Sequence, residues 1–205
     1  MNLIQLDTYK VVLIGESGVG KTCIINQFND GKFDPNIKIS ISAQFCRKKI
    51  DLPNGESITM DIWDTVGQET FRSITQIFYT HAKVAVLVYD VTNKKSFEEA
   101  KNYWYKKIQE LDDKDIIIAI VANKYDLYEK KQVPNEEGEA YAKSIKAIFG
   151  FTSAKNNTGI KTLFENIAMK IKQKKDNKSN ETNINNINNE KISLINKKNN
   201  KIKCC

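Results

Sequence analysis

Three short strings hold the side chains that can do chemistry. "GESGVGKT" (15–22) has the form G-x-x-x-x-G-K-[ST] and lies between an apolar run, "YKVVLIG", and a helical pattern, "KTCIINQFN". In that setting the backbone N–H groups of a glycine-rich loop and a helix N-terminus can surround a phosphate chain, Lys21 can reach its outer phosphates, and Thr22 offers a hydroxyl to Mg²⁺. "NKYD" (123–126) follows the apolar run "IIIAIVA", which places it at the carboxyl edge of a parallel sheet, where ligands bind. There Asp126 can accept two hydrogen bonds from the N1–H and 2-amino groups of guanine, whereas adenine would leave its charge facing an acceptor. "TSAK" (152–155) follows the next run, and the backbone N–H of Ala154 can meet the guanine carbonyl oxygen. The plain alternatives are a glycine-rich turn for the first string and a capped loop for the second; the occurrence of all three in strand-end positions weighs against both.

The elements that must position these strings follow from periodicity. Apolar runs at 9–15, 57–64, 84–90, 116–124 and 147–153 read as strands, and helical spacing fills 21–29, 96–111, 135–145 and 160–175. Strands apolar on both faces and separated by helices predict a mostly parallel sheet covered on each side. One hairpin interrupts the alternation: "IKISISAQFCRKKIDL" and "SITMDIW" flank "PNGE", whose Asn54-Gly55 suits a tight turn with positive φ. The expected fold is a three-layer α/β domain over residues 1–175, with six strands, one of them antiparallel, and helices on both faces. Residues 176–205 are rich in Asn and Lys, with too few apolar groups to form a core, and are expected to be a disordered tail.

The 205 residues suffice for one domain with a substantial core. Of the net charge of +7, a tail from Gln173 onward supplies +5 through eight lysines and three acids. The folded part is therefore nearly balanced, and with no interleaved basic and aromatic stretch a nucleic-acid platform is not expected. No run approaches the roughly 18 to 20 apolar residues of a membrane span, and "MNLIQLDTYK" lacks a basic start followed by an apolar run, so neither a spanning nor a secreted protein is expected. Four cysteines, two of them at the C-terminus, form no disulfide or zinc framework and suit a reducing, cytosolic setting.

With these motifs in this order, and Asp64 closing the run 57–64, the sequence resembles the Ras superfamily of small GTPases from about Tyr9 to Lys172. Within it the strings "FRSIT" (71–75), "LVYDVT" (87–92), "SFEEAKNYW" (96–104) and the terminal "CC" resemble the Rab family. The resemblance implies a P-loop GTPase fold that binds GTP or GDP with Mg²⁺, hydrolyses GTP slowly without an activating protein, and acts as a switch in vesicle and membrane trafficking. The nucleotide-binding set it implies is Ser17, Gly18, Val19, Gly20, Lys21, Thr22, Cys23, Phe33, Ser40, Asp64, Gly67, Asn123, Lys124, Asp126, Ser153, Ala154 and Lys155. Phe33 and Lys124 would cover the two faces of the guanine, and Asn123 would brace the phosphate loop. Thr22, Ser40 and Asp64 would surround the metal, while Gln68, Lys21 and Ser40 would serve catalysis. Ser40 stands where the family has threonine and keeps the hydroxyl.

The same resemblance implies effectors at the switch regions through Phe45, Trp63 and Phe78, an exchange factor, a GTPase-activating protein that supplies an arginine, a prenylation escort and a GDP-dissociation inhibitor. It implies prenylation at Cys204 and Cys205, a place on the cytoplasmic face of an intracellular membrane with a cytosolic pool, and no nucleic-acid partner. Ordinary packing is the alternative for the three aromatics, Trp104 and its tyrosine neighbours read as packing, and His81 as structural. "WDTVGQE" (63–69) departs from the family: Val66 stands where relatives usually have alanine, adding two methyl groups and a stiff χ1 beside the γ-phosphate. Since misplacing a reactant by about 1 Å can cost on the order of 10²-fold, a real but slower GTPase is expected, with binding nearly unaffected. A binding module cycling by exchange with negligible hydrolysis is the alternative.

Overall fold

All seven residues of Val84–Asp90 are buried, as a strand covered on both faces requires. The computed structural model, which describes residues 7–37, 44–65, 80–111, 113 and 115–179, sets this strand inside a sheet of six. In chain order these are β1 (Thr8–Ile14), β2 (Gln44–Asp51), β3 (Ser57–Asp64), β4 (Val84–Asp90), β5 (Ile117–Asn123) and β6 (Ile148–Phe151), arranged β2-β3-β1-β4-β5-β6. Among the described strands the β2–β3 pair alone is antiparallel. Their connection turns at Leu52–Gly55, where Gly55 N–H donates to the Leu52 carbonyl at 3.0 Å. Positive φ falls on Gly55 alone (+83°); Asn54 instead uses its Oδ1 to accept from Glu56 N–H at 3.1 Å.

Among the described residues the α-helices are α1 (Lys21–Asp30), α2 in three consecutive segments (Lys94–Glu99, Ala100–Trp104 and Tyr105–Gln109), α3 (Asn135–Ser144) and α4 (160–179). Strand periodicity divides the core. Val12, Ile14, Ala85, Leu87, Tyr89, Ile120 and Ala122 pack with Phe97, Trp104 and Ile108 of α2 and Ala142 of α3. The alternate residues Val11, Leu13, Val86, Val88 and Val121 are equally buried and face the opposite layer, where Phe28 of α1 stacks on Phe164 at 4.1 Å between centroids.

Two features depart from the periodic pattern. The middle segment of α2 is a π-turn, and a 3₁₀ helix (Tyr125–Lys130) follows "NKYD". The described chain falls into two units, one up to Ala168 and one from Met169 onward. In the second, α4 continues four residues beyond the boundary expected at Lys175, supported by a Lys172–Asp176 ion pair at 2.8 Å and by the Ser179 hydroxyl on the Lys175 carbonyl at 3.0 Å. No helix among the described residues is long and apolar enough to cross a membrane.

Candidate functional site

Register brings the strand ends together. Leu13 lies beside Asp64, Ile14 beside Leu87, Asp90 beside Asn123 and Ala122 beside Phe151, so the loops after β1, β4, β5 and β6 share one edge of the sheet, the ligand-binding edge of open α/β folds. The loop after β1 needs its glycines. A Cβ on Gly15 would stand 2.3 Å from the Val88 carbonyl oxygen, and one on Gly20 (φ +96°) 2.4 Å from Asn123 Nδ2. The loop ends at the N-terminus of α1, where unpaired N–H groups and the helix dipole favour an anion.

Lys21, 5% exposed, donates from Nζ to the Gly15 and Glu16 carbonyls at 2.9 and 3.0 Å. Burial pushes its ammonium down to about 8, with Asp64 and Glu16 acting in the opposite direction. Thr22 Oγ1 donates to Asp64 Oδ2 at 2.5 Å, and Asp64 is fully buried. A hydroxyl and a carboxylate side by side are hard oxygen donors, which fits Mg²⁺ and not a soft metal. Thr65 next in the chain donates to the Leu13 carbonyl at 2.6 Å and fixes β3's end to β1. Burial raises the Cys23 thiol above its usual value, which makes it a neutral wall residue and not a nucleophile.

The loop after β5 is tied to this one by a side chain. Asn123 Nδ2 donates to the Val19 carbonyl at 2.8 Å, and its Oδ1 accepts from the Thr152 hydroxyl at 3.0 Å. Lys124 adopts a left-handed conformation (φ +62°), and its ammonium meets Asp90 Oδ2 at 2.7 Å. Asp90 Oδ1 in turn accepts from Thr92 N–H and Oγ1 at 2.8 and 2.7 Å. The Ser153 hydroxyl donates to Asp126 Oδ1 at 2.6 Å while its oxygen accepts from Asn156 N–H at 3.1 Å. Between these loops lies a pocket of about 470 Å³.

A family model described as the Ras family matches residues 10–173. The chain is 43% identical to the Ras-related protein Rab-8A of Gallus gallus and 41% to that of Bos taurus, each over 168 residues covering 82% of this chain and 80% of the relative. This chain belongs to the Rab branch of the Ras family. It is a GTPase that converts GTP to GDP and phosphate, and a switch in vesicle traffic.

In this Rab the pocket is lined by Ser17, Gly18, Gly20, Lys21, Thr22, Cys23, Phe33, Asn123, Lys124, Asp126, Ala154 and Lys155 from the sequence-derived set. Val19, Asp64 and Ser153 stand behind the wall: Val19 through its carbonyl on Asn123, Asp64 behind Thr22, Ser153 behind Asp126. Phe45 and Trp63 lie apart from the pocket on the β2–β3 hairpin, as a cross-strand pair with centroids 5.0 Å apart. Ser40, Val66, Gly67, Gln68, Phe78, Cys204 and Cys205 lie outside the described residues.

Sequence reasoning missed several members. Asp34, Pro35, Ile37, Thr65 and Leu127 also line the pocket. Asp90 and Thr152 orient Lys124 and Asn123 from neighbouring strand ends. For Asp90 and Thr152 a signal existed, since each ends an apolar run at the same edge as the motifs. Trp104 is buried as a packing residue would be, yet its indole N–H also donates to Glu16 Oε1 at 3.2 Å.

Proposed function

We propose that residues 1–175 form a GTP/GDP-binding domain in which Asp126 and the Ala154 backbone read the guanine, Phe33 and Lys124 cover its faces, and residues 17–23 hold the phosphates. The observation that carries this reading is the Asn123–Val19 hydrogen bond, which joins the base-side and phosphate-side loops into one wall of the pocket. Thr22, Asp64 and Ser40 would hold Mg²⁺, which supplies positive charge to the β- and γ-phosphates when bound. Lys21 adds the charge of its ammonium, and Gln68 orients the attacking water. With no arginine assigned to that charge, an activating protein supplies one in trans.

The GTP form recruits effectors through Phe45, Trp63 and Phe78, and the cycle is completed by an exchange factor, a GTPase-activating protein, a prenylation escort and a GDP-dissociation inhibitor. Cys204 and Cys205 carry two prenyl chains, the number stable anchoring requires, and the lysines of 176–205 add attraction to anionic lipid. The protein then divides between the cytoplasmic face of an intracellular membrane and a cytosolic pool. Support for these partners and this location comes from membership of the Rab family.

Val66 slows the chemistry by displacing Gln68 or the water, below the roughly 10⁻⁴ s⁻¹ of a Ras-type GTPase acting alone. Single-turnover GTP hydrolysis tests this. Val66→Ala is expected to raise the rate several-fold and Gln68→Leu to remove most of what remains, with GTP binding changed by neither. An unchanged rate in Val66→Ala rejects the role of the valine; an unchanged rate in both variants favours a switch that cycles by exchange alone.

A further inference from the structure

The π-turn of α2 ends on Trp104, where Tyr105 N–H reaches back to the Ala100 carbonyl. Such turns interrupt a regular helix and concentrate at functional sites. Trp104 is 2% exposed and held edge-on by Tyr103, with centroids 4.9 Å apart. Its indole Nε1–H donates to Glu16 Oε1, 88 residues away in the chain. Glu16 is the first residue after Gly15 in the phosphate loop, and its own carbonyl accepts from Lys21 Nζ.

A carboxylate in a loop that receives phosphates opposes its ligand by like-charge repulsion unless it is held in place. We infer that Trp104 is a positioning residue for nucleotide binding: its N–H secures the Glu16 side chain on the α2 side, and with it the carbonyl that orients Lys21. The inference rests on the guanine-nucleotide reading of the pocket.

The test is the dissociation rate of N-methylanthraniloyl GDP from the full-length protein, with melting temperature measured alongside. Trp104→Phe keeps a ring in the core and removes the donor, so dissociation is expected to quicken roughly tenfold, the scale of a lost hydrogen bond to a charged group. Adding Glu16→Gln to Trp104→Phe makes the released side chain neutral and is expected to bring the rate back to within about threefold of wild type. A residue that only packs gives no such rescue.

Dissociation from Trp104→Phe within about twofold of wild type overturns the proposal, as does a double variant as fast as the single one. Should Trp104→Phe not fold, Glu16→Asp keeps the carboxylate but draws it one methylene back from the indole, cutting the same bond from the half-buried partner; dissociation about threefold to fivefold faster supports the proposal and an unchanged rate overturns it. A wild-type protein that does not retain the labelled GDP rejects the pocket reading and this inference with it. Retention by wild type together with an unaffected Trp104→Phe rejects the inference alone.

Discussion

The pocket end of the sheet and the β2–β3 hairpin are built on opposite terms. At the pocket, polar side chains are buried and mutually satisfied: Asn123 is 1% exposed and bridges Val19 and Thr152, and the Lys21 ammonium lies on two carbonyls. On the hairpin, Phe45 is 48% exposed although it pairs with Trp63, and Arg47 meets Asp61 at 2.6 Å on the surface. Lys10 holds its ammonium 5.5 Å from the Trp63 ring centroid. Buried polar groups are costly when a partner is removed, whereas exposed ones fall back on water. The pocket end therefore depends tightly on its internal partners, while the hairpin can change its exposed side chains at small cost to stability.

The largest break in that contrast is expected at Asp126. Asp126→Asn replaces a charged acceptor by a group that also donates, so GTP affinity is expected to fall by about 10³-fold, about 4 kcal/mol, while xanthosine triphosphate gains. Competitive titration of the two nucleotides checks this; equal binding of ATP and GTP by the wild type would refute guanine selection altogether.

Next in size is the pH dependence that burial gives Lys21. Its folded value is lowered to about 8, whereas an unfolded lysine holds its proton to about 10.4. Between these values the unfolded state binds more protons, so nucleotide-free protein gains stability as pH rises through that window, by about 3 kcal/mol, and carries the full burial penalty below it. Chemical denaturation at pH 7.5 and 10 measures this gain, and Lys21→Met is expected to remove most of it.

The hairpin supplies the smaller effects. Phe45→Ala is expected to lower the melting temperature by only a few degrees, roughly 1 kcal/mol of half-buried contact, while capture of GTP-dependent partners drops about tenfold or more. Parallel losses of melting temperature and capture would mean that the pair is packing. Smallest of all is Arg47→Ala: a surface ion pair contributes little, so nucleotide affinity and melting temperature are expected to stay within experimental error. A clear loss of GTP affinity in Arg47→Ala would show that the two regions are coupled.

Much of this arrangement is legible in the sequence. Five apolar runs, the turn-flanked hairpin and helical spacing located the six strands and the four described helices, because burial on both faces of a strand leaves a continuous apolar run and burial of one helix face leaves a period near 3.6. "GESGVGKT" and "NKYD" pointed to the pocket that their residues line, because motifs of these kinds are defined by their own backbone and single side chains at short spacing. The π-turn at Ala100–Trp104 left no periodic trace, since Phe97, Trp104 and Ile108 already satisfy ordinary helical spacing. The positive φ of the hairpin settled on Gly55 and not on Asn54 as well, because the turn closes at Leu52–Gly55.

The sequence by itself determined the layered α/β class, the glycine-rich loop after β1 and the "NKYD" loop at the same edge of the sheet, all of which depend on residue type at short spacing. Tertiary structure alone decided which partners hold them: Asn123 on Val19, Thr152 on Asn123, Asp90 on Lys124 and Trp104 on Glu16. All four bonds join residues 29 to 104 positions apart, and Asp90 meets Lys124 only because β4 and β5 lie in parallel register. Their existence depends on strand order and helix placement, which fix distances in space that spacing along the chain does not encode.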